Sequence, residues 1–190
     1  MIWNLPNILT WLRIVAIPLV AVLFFLGDDR PGNLADPIAG LLFAAAAITD
    51  TLDGYLARRL GQTTRLGAFL DPVADKLIVA VALVLIVSRD ARPLVVLTAA
   101  VIIGREIAIS ALREWMAGIG QRTAVAVSRI GKYKTIAQMV GLSMLLFRHP
   151  LLGLPIYTLG LWLTVLAAGL TLISMALYLR AAWPHLVAQA

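Results

Sequence analysis

Apolar residues run through this chain in six long blocks, roughly residues 8–27, 35–59, 67–88, 93–117, 123–147 and 152–182. Each reaches or approaches the ~20 residues that a helix needs to cross ~30 Å of hydrocarbon. The breaks carry turn chemistry: "GDDRPGN" after the first block, "SRDARP" after the third and "RHPLLGLP" after the fifth, rich in residues that leave a helix readily. No linker, low-complexity tract or internal repeat interrupts the pattern. It predicts an all-α integral membrane protein with six transmembrane helices, residues 1–190 forming one membrane domain.

Composition strengthens that picture. Of 190 residues, 61% are hydrophobic and only 14% charged, against about 45–50% and about 25% in an ordinary soluble domain. A core of this size cannot hide the surplus. The net charge of +6 would suit nucleic acid in a polar chain, but here basic residues flanking membrane spans explain it. With no cysteine, disulfides are excluded. The start, "MIWNLPNILTWLRIVAIP", has neither a basic leader nor an evident cleavage site, so it reads as a retained first helix.

Orientation follows from the cations. With the N-terminus inside, Arg13, Arg58, Arg59, Arg65, Lys76, Arg105, Arg113, Arg122, Arg129, Lys132, Lys134 and Arg180 fall on or near the cytoplasmic side, while Arg30, Arg89, Arg92 and Arg148 fall on the other. That bias predicts both termini in the cytoplasm (N-in/C-in). Trp3, Trp11 and Trp183 suit interfacial anchoring. His149 and His185 lie alone near span ends.

The segment from Asp50 to Lys76 is the exception to the apolar pattern, with four aspartates and four cationic side chains. Asp50, Asp53, Gly54 and Ala57 share one stripe at the end of the second helix, with Arg58 at its edge. Gly67, Asp71 and Asp75 share one face at the start of the third. A short connection predicts that the two helices are antiparallel neighbours, which brings four carboxylates together. Ionised carboxylates so close would drive some to protonate unless a cation intervened. Hard oxygen ligands, with no His or Cys nearby, suit Mg²⁺, Mn²⁺ or Ca²⁺. Four carboxylates suffice for a pair of ions about 3.5–4 Å apart, an arrangement suited to phosphoryl chemistry. Gly54 and Ala57 leave room beside them, and Arg58 offers a fork for phosphate oxygens. Interfacial salt bridging is the plainer alternative, but charged residues at the membrane are costly enough to point to function.

The pattern Asp50-x2-Asp53-Gly54-x2-Ala57-Arg58-x8-Gly67-x3-Asp71-x3-Asp75 resembles the signature of the CDP-alcohol phosphatidyltransferases at every fixed position. "NLPNILTWLRIVAIP", "GREIAISALREWMA" and "VAVSRIGKYKTIAQM" extend the resemblance, most closely to members that use sn-glycerol 3-phosphate as acceptor. The resemblance implies a six-helix membrane fold, a site at the cytoplasmic face, two divalent cations (Mg²⁺ or Mn²⁺), CDP-diacylglycerol as donor and a homodimer, with a bacterial inner membrane as location. It implies metal ligation by Asp50, Asp53, Asp71 and Asp75, with Asp75 also the general base. It places Pro6, Asn7, Gly54, Ala57, Arg58, Thr64 and Gly67 against the CDP part of the donor.

A dianionic acceptor needs cations near that centre. On the fourth helix Glu106, Ser110 and Arg113 lie within about 60° of one another. On the fifth, Ser128, Lys132 and Thr135 form a second polar stripe, and Lys134 projects away from it. Arg113 and Lys132 are the first candidates for the acceptor phosphate, with Ser110 beside them and Arg105 and Lys134 in reserve. Asn7, Thr10 and Arg13 recur every third residue on the first helix and should face the cavity. Two alternatives stand: another alcohol acceptor, such as serine, inositol, inositol phosphate or a lipid; or a divalent-cation transporter, which leaves Gly54, Ala57 and Arg58 unexplained.

Overall fold

The computed structural model describes residues 5–28, 33–60, 65–119 and 129–187; within these, the side chains of residues 5–6, 51–60, 65, 68, 129–132, 181 and 184–187 lie outside the description. These residues form six helices: α1 (Leu5–Leu26), α2 (Ala35–Leu60), α3 (Arg65–Arg89), α4 (Pro93–Gly118), α5 (Arg129–Phe147) and α6 (Ile156–Val187). Each predicted block contains one helix. The start predicted for the fifth block, at residue 123, lies outside the described residues. The sixth helix begins later than its apolar block because residues 148–155 turn first: Arg148 and Leu152 take left-handed backbone, with φ of 63° and 52°, and Leu151 and Leu154 bridge. Pro72 lies inside α3, past its first turn.

Among the described residues, three helices are long and apolar enough to cross a membrane by themselves: Asn7–Leu26 of α1, Pro93–Gly118 as α4 and Ile156–Arg180 of α6. The outer faces are greasy. Leu12, Val15, Leu19, Val22 and Phe25 on α1, and Trp162, Leu166 and Ile173 on α6, are all exposed. An apolar face that continuous is explained by lipid.

The main apolar cluster is fed by all six helices, including Val20, Phe43, Ile86, Ile102, Leu142 and Leu161, and a smaller one joins Ile109 and Met116 of α4 to Tyr178 and Ala182 of α6. Helix α5 packs on α6 and α2, and α1 on α2 and α3. The α5–α6 seam is a close contact between glycines and the facing helix. A Cβ at Gly141 would stand 2.4 Å from Thr164 Oγ1, and one at Gly160 would stand 2.7 Å from Met144 Cβ. Glycine at these positions lets the two backbones approach.

The end of α2 expected to pair directly with α3 runs through residues 51–60, whose side chains lie outside the described residues. Among the described residues these two make no extended contact; α1 packs against both. The reason lies in α1 itself. Its buried stripe of Asn7, Thr10 and Arg13 cannot face lipid, so it turns inward between the two acidic helices and supplies donors to their carboxylates.

Candidate functional site

Two acidic helix ends and the polar stripe of α1 build the first half of the site. The Thr10 hydroxyl donates to the Asp71 carboxylate. Arg13 donates from Nη1 to Asp75 and meets Asp50 Oδ1 at 2.9 Å. Its side chain is essentially enclosed, while those of Asp50 and Asp75 are 32% and 36% exposed. A buried guanidinium therefore ties α2 to α3 and leaves both carboxylates open on the other side. Gly67 is buried one turn before Asp71, and Asn7 one turn before Thr10.

That open side is a cavity of about 220 Å³, bordered by Asp50, Asp75 and Lys76 and closed by α4, α5 and α6. Across from the aspartates stand Arg105, Arg113 and Lys134. Arg105 is buried and meets Glu106 Oε2 at 2.9 Å. Arg113 lies over the ring of Tyr178, 5.5 Å from its centroid. Lys134 is 4% exposed, and its Nζ has no hydrogen-bond partner in the protein. A buried ammonium without an acceptor is costly, and an anion in the cavity would remove that cost. The lining sets Asp50 and Asp75, with Lys76 beside them, together with Arg105, Arg113 and Lys134, with Glu106 among them, so that basic groups outnumber acidic ones on the α4–α5 side.

The placement of the individual candidates is uneven. Asp50 and Asp75 come together, and Asp71 joins them through α1. Arg105, Arg113 and Lys134 share one wall. Lys134, expected to project away, points inward, because α5 turns its Lys134–Gln138 face, both residues buried, toward the cavity. Ser110 is not part of the lining; its hydroxyl donates to the Glu106 carbonyl at 2.6 Å, as serine commonly does inside a helix. The side chains of Pro6, Asp53, Gly54, Ala57, Arg58 and Lys132 lie outside the described residues, as does Thr64 altogether. Sequence reasoning missed Arg13 as the link between the two acidic helices, although its spacing with Asn7 and Thr10 already turned it inward. It also missed Gln138 and Tyr178, which carry no signal apart from their neighbours.

A second opening adjoins the first. An apolar groove of about 230 Å³ runs between α2 and α5 past Ala44, Ala47, Ile136 and Val140, and shares Asp50, Thr135 and Met139 with the polar cavity.

The family model for "CDP-alcohol phosphatidyltransferase" matches residues 3–178. A curated protein of Pseudomonas fluorescens named CDP-diacylglycerol–glycerol-3-phosphate 3-phosphatidyltransferase is 53% identical over 184 residues, covering 96% of this chain and 92% of that protein. A protein of the same name from Salmonella typhimurium (strain LT2) is 50% identical over 187 residues, covering 98% of this chain and 99% of the other.

Proposed function

This chain belongs to the CDP-alcohol phosphatidyltransferase family, and from that premise we propose that it transfers the phosphatidyl group of CDP-diacylglycerol to sn-glycerol 3-phosphate, giving phosphatidylglycerophosphate and CMP. The observation that carries the acceptor is the buried, unpartnered Lys134 beside Arg105 and Arg113. Inositol would bring no anion to that wall, and serine only a carboxylate offset by its own ammonium; a phosphorylated acceptor brings a dianion with no internal counter-charge. The names of the relatives point to the same substrates.

The donor set suits a divalent metal. Asp50, Asp71 and Asp75 offer only hard carboxylate oxygens, and the Arg13 guanidinium, placed against Asp50 and Asp75, shows that the spot favours positive charge. Among the described residues no three acidic or imidazole side chains form a ready metal cage. Asp50, Asp53, Asp71 and Asp75 would hold the two Mg²⁺ or Mn²⁺ ions. When bound, such ions neutralise pyrophosphate charge and the charge that develops on the leaving CMP.

The chain's own residues do the rest. The 1-hydroxyl oxygen of the acceptor attacks the lipid-bearing phosphorus; Asp75 takes the hydroxyl proton, and the bond to the CMP oxygen breaks. Lys134, Arg105 and Arg113 grip the acceptor's phosphate and so aim its free hydroxyl at Asp50 and Asp75. Arg13 keeps Asp50 and Asp75 in register. Gly54, Ala57, Arg58, Thr64 and Gly67, with Pro6 and Asn7, take the CDP moiety. The apolar groove between α2 and α5 admits an acyl chain from the bilayer beside Asp50.

The same reading has all six helices spanning a bacterial inner membrane, both termini and the site facing the cytoplasm, and two copies forming a homodimer. Since the native chain has no cysteine, single cysteines introduced at the helix ends report sidedness without background labelling. The deciding assay is CMP release from CDP-diacylglycerol with glycerol 3-phosphate, serine, inositol and inositol phosphate offered in turn. Turnover with glycerol 3-phosphate alone is expected, with Lys134→Ala raising KM for the acceptor and leaving KM for the donor unchanged. Equal turnover with serine or inositol would overturn the acceptor assignment.

A further inference from the structure

The opposite end of the bundle holds a second polar cavity, of about 280 Å³, walled by Phe24, Ile86, Leu145, Tyr157 and the guanidiniums of Arg89 and Arg148, with Asp90 at its edge. Every one of these residues lies at a helix end: Phe24 near the end of α1, Arg89 the last residue of α3, Arg148 just past α5, Tyr157 at the start of α6. The cavity therefore sits at the membrane boundary on the face away from the aspartates. Its floor is apolar, and its polar lining is the guanidiniums of Arg89 and Arg148 together with the Asp90 carboxylate and the Tyr157 hydroxyl.

The acids nearby are already engaged. Asp90 receives the Arg92 guanidinium, at 2.7 Å from Nη2, and the Tyr157 hydroxyl. Asp36, fully buried behind the cavity, takes Arg89 at 2.7 Å and holds Arg148 more loosely, at 3.6 Å. Arg148 also adopts left-handed backbone, with φ of 63°, which a residue with a side chain takes only at a cost. It ends α5 in that conformation, donating its N–H to the Met144 carbonyl at 3.1 Å, as the residue just past a helix C-terminus commonly does. Two guanidiniums above an apolar floor, at interfacial depth, match a phosphodiester with acyl chains below it. The volume is just under the ~300–1,000 Å³ typical of drug-sized pockets, so it fits a headgroup and the chain region beside it.

We propose that this cavity is a binding site for the phosphodiester headgroup of an anionic phospholipid in the leaflet facing away from the catalytic aspartates, with Arg148 as its phosphate contact and Arg89, held by Asp36 and by the Phe24 and Gly27 carbonyls, adding positive charge beside it. The site rests on the membrane placement given above but not on the catalytic chemistry.

The test uses the purified full-length chain in mild detergent, with excess CDP to fill the donor site, and native mass spectrometry with three probes: dioctanoyl phosphatidylglycerol, dioctanoyl phosphatidylcholine and inorganic phosphate. Phosphatidylglycerol should bind at least ~10-fold more tightly than phosphatidylcholine, the scale of one charge-assisted contact, and inorganic phosphate should compete weakly. Arg148→Gln should remove that preference while CMP release stays at the parent rate. Arg89 remains on Asp36 in this variant, so the buried carboxylate keeps its partner. Arg148→Lys retains the charge beside Asp36 without the planar fork; it should fold and show a reduced preference, and it decides the matter if the Gln variant does not fold. Asp75→Asn, inactive on the proposed mechanism, should still bind phosphatidylglycerol, so a failure of the catalytic reading is separable from a failure here. Undiminished phosphatidylglycerol binding in the Lys variant, or in both Arg148 variants, would overturn the site. Equal affinity for inorganic phosphate would overturn its assignment to a lipid.

Discussion

Both ends of this bundle set a guanidinium against carboxylate, yet the two arrangements serve different ends. At one, Arg89 meets Asp36, whose side chain is 0% exposed. Gly27 gives way so completely that a Cβ there would stand 1.9 Å from Asp36 Oδ1, and Arg89 also lies 3.8 Å from the centroid of the Phe24 ring. At the other end Arg13 is just as enclosed, but the carboxylates it holds are about one-third exposed and border a cavity that also contains the unpartnered Lys134. A carboxylate sealed behind its partner supports the fold. Carboxylates restrained from behind and open in front are presented to a ligand.

The sharpest way to break this contrast is one substitution at each end. Asp75→Asn keeps the shape and removes the base, so turnover measured as CMP release should fall by ~10²-fold or more, with only a modest fall in unfolding temperature, because Arg13 keeps Asp50 as its partner. Arg89→Met should do the reverse. It strips Asp36 of its close partner, which for a buried pair costs about 3–5 kcal/mol, and a clear loss of thermal stability in detergent should accompany unchanged turnover per folded molecule. If the Asp75 variant lost stability and kept its rate, the division between the two ends would fail.

Arg13 lies on both sides of the contrast, since it is as buried as Asp36 and touches the site. Arg13→Lys keeps the charge, but an ammonium is a point donor that does not reproduce a two-carboxylate bridge. The expected outcome is a mixed one: turnover about tenfold lower together with a stability loss of ~1–3 kcal/mol. A loss of stability alone would make Arg13 a structural residue only.

These expectations separate what the sequence could reveal from what it could not. The six helices were legible because apolar length and turn residues are local signals, and α2 and α3 announced their acidic faces through spacing alone. The wedge of α1 between them was half legible: the spacing of Asn7, Thr10 and Arg13 turned them inward, but nothing in that spacing named Asp50, Asp71 and Asp75 as their partners. The basic side of the cavity was legible only as a group. Positive charge near the cytoplasmic side serves topology as well as binding, and only the rotation of α5 about its axis, a tertiary fact, sets Lys134 inward. Asp36, Arg89 and Arg148 read as ordinary loop-side charges because they lie 53 and 112 positions from Asp36 along the chain, and no periodicity links such distances.

A smaller effect is expected where no charge is involved. Gly141→Ala places a methyl group 2.4 Å from Thr164 Oγ1 and 3.1 Å from the Gly160 carbonyl oxygen. The hydroxyl can rotate away and the backbone cannot, so the α5–α6 seam should open slightly, at a cost of ~1–3 kcal/mol. Because α5 carries Lys134, KM for the acceptor should rise more than KM for the donor. Unchanged stability would show that the seam has slack.

The smallest effect belongs to the exposed pair beside the far cavity. The Arg92 side chain donates to Asp90 and, more than any other contact, holds that carboxyl down to about 2, against ~3.9 when unfolded. A carboxyl depressed by folding adds stability above its unfolded value and loses it as pH falls toward the folded one. The difference in unfolding temperature between the parent and Arg92→Gln should therefore be small and constant from about pH 5 to 8, and should close between about pH 4 and 2. The pair is solvent-facing, with Arg92 61% exposed, so salt should shrink the difference even at neutral pH. A large, salt-resistant loss in this variant would mean that Asp90 is tied into the enclosed Asp36–Arg89 pair, and the far end of the bundle would then be one structural network instead of a sealed pair beside an open cavity.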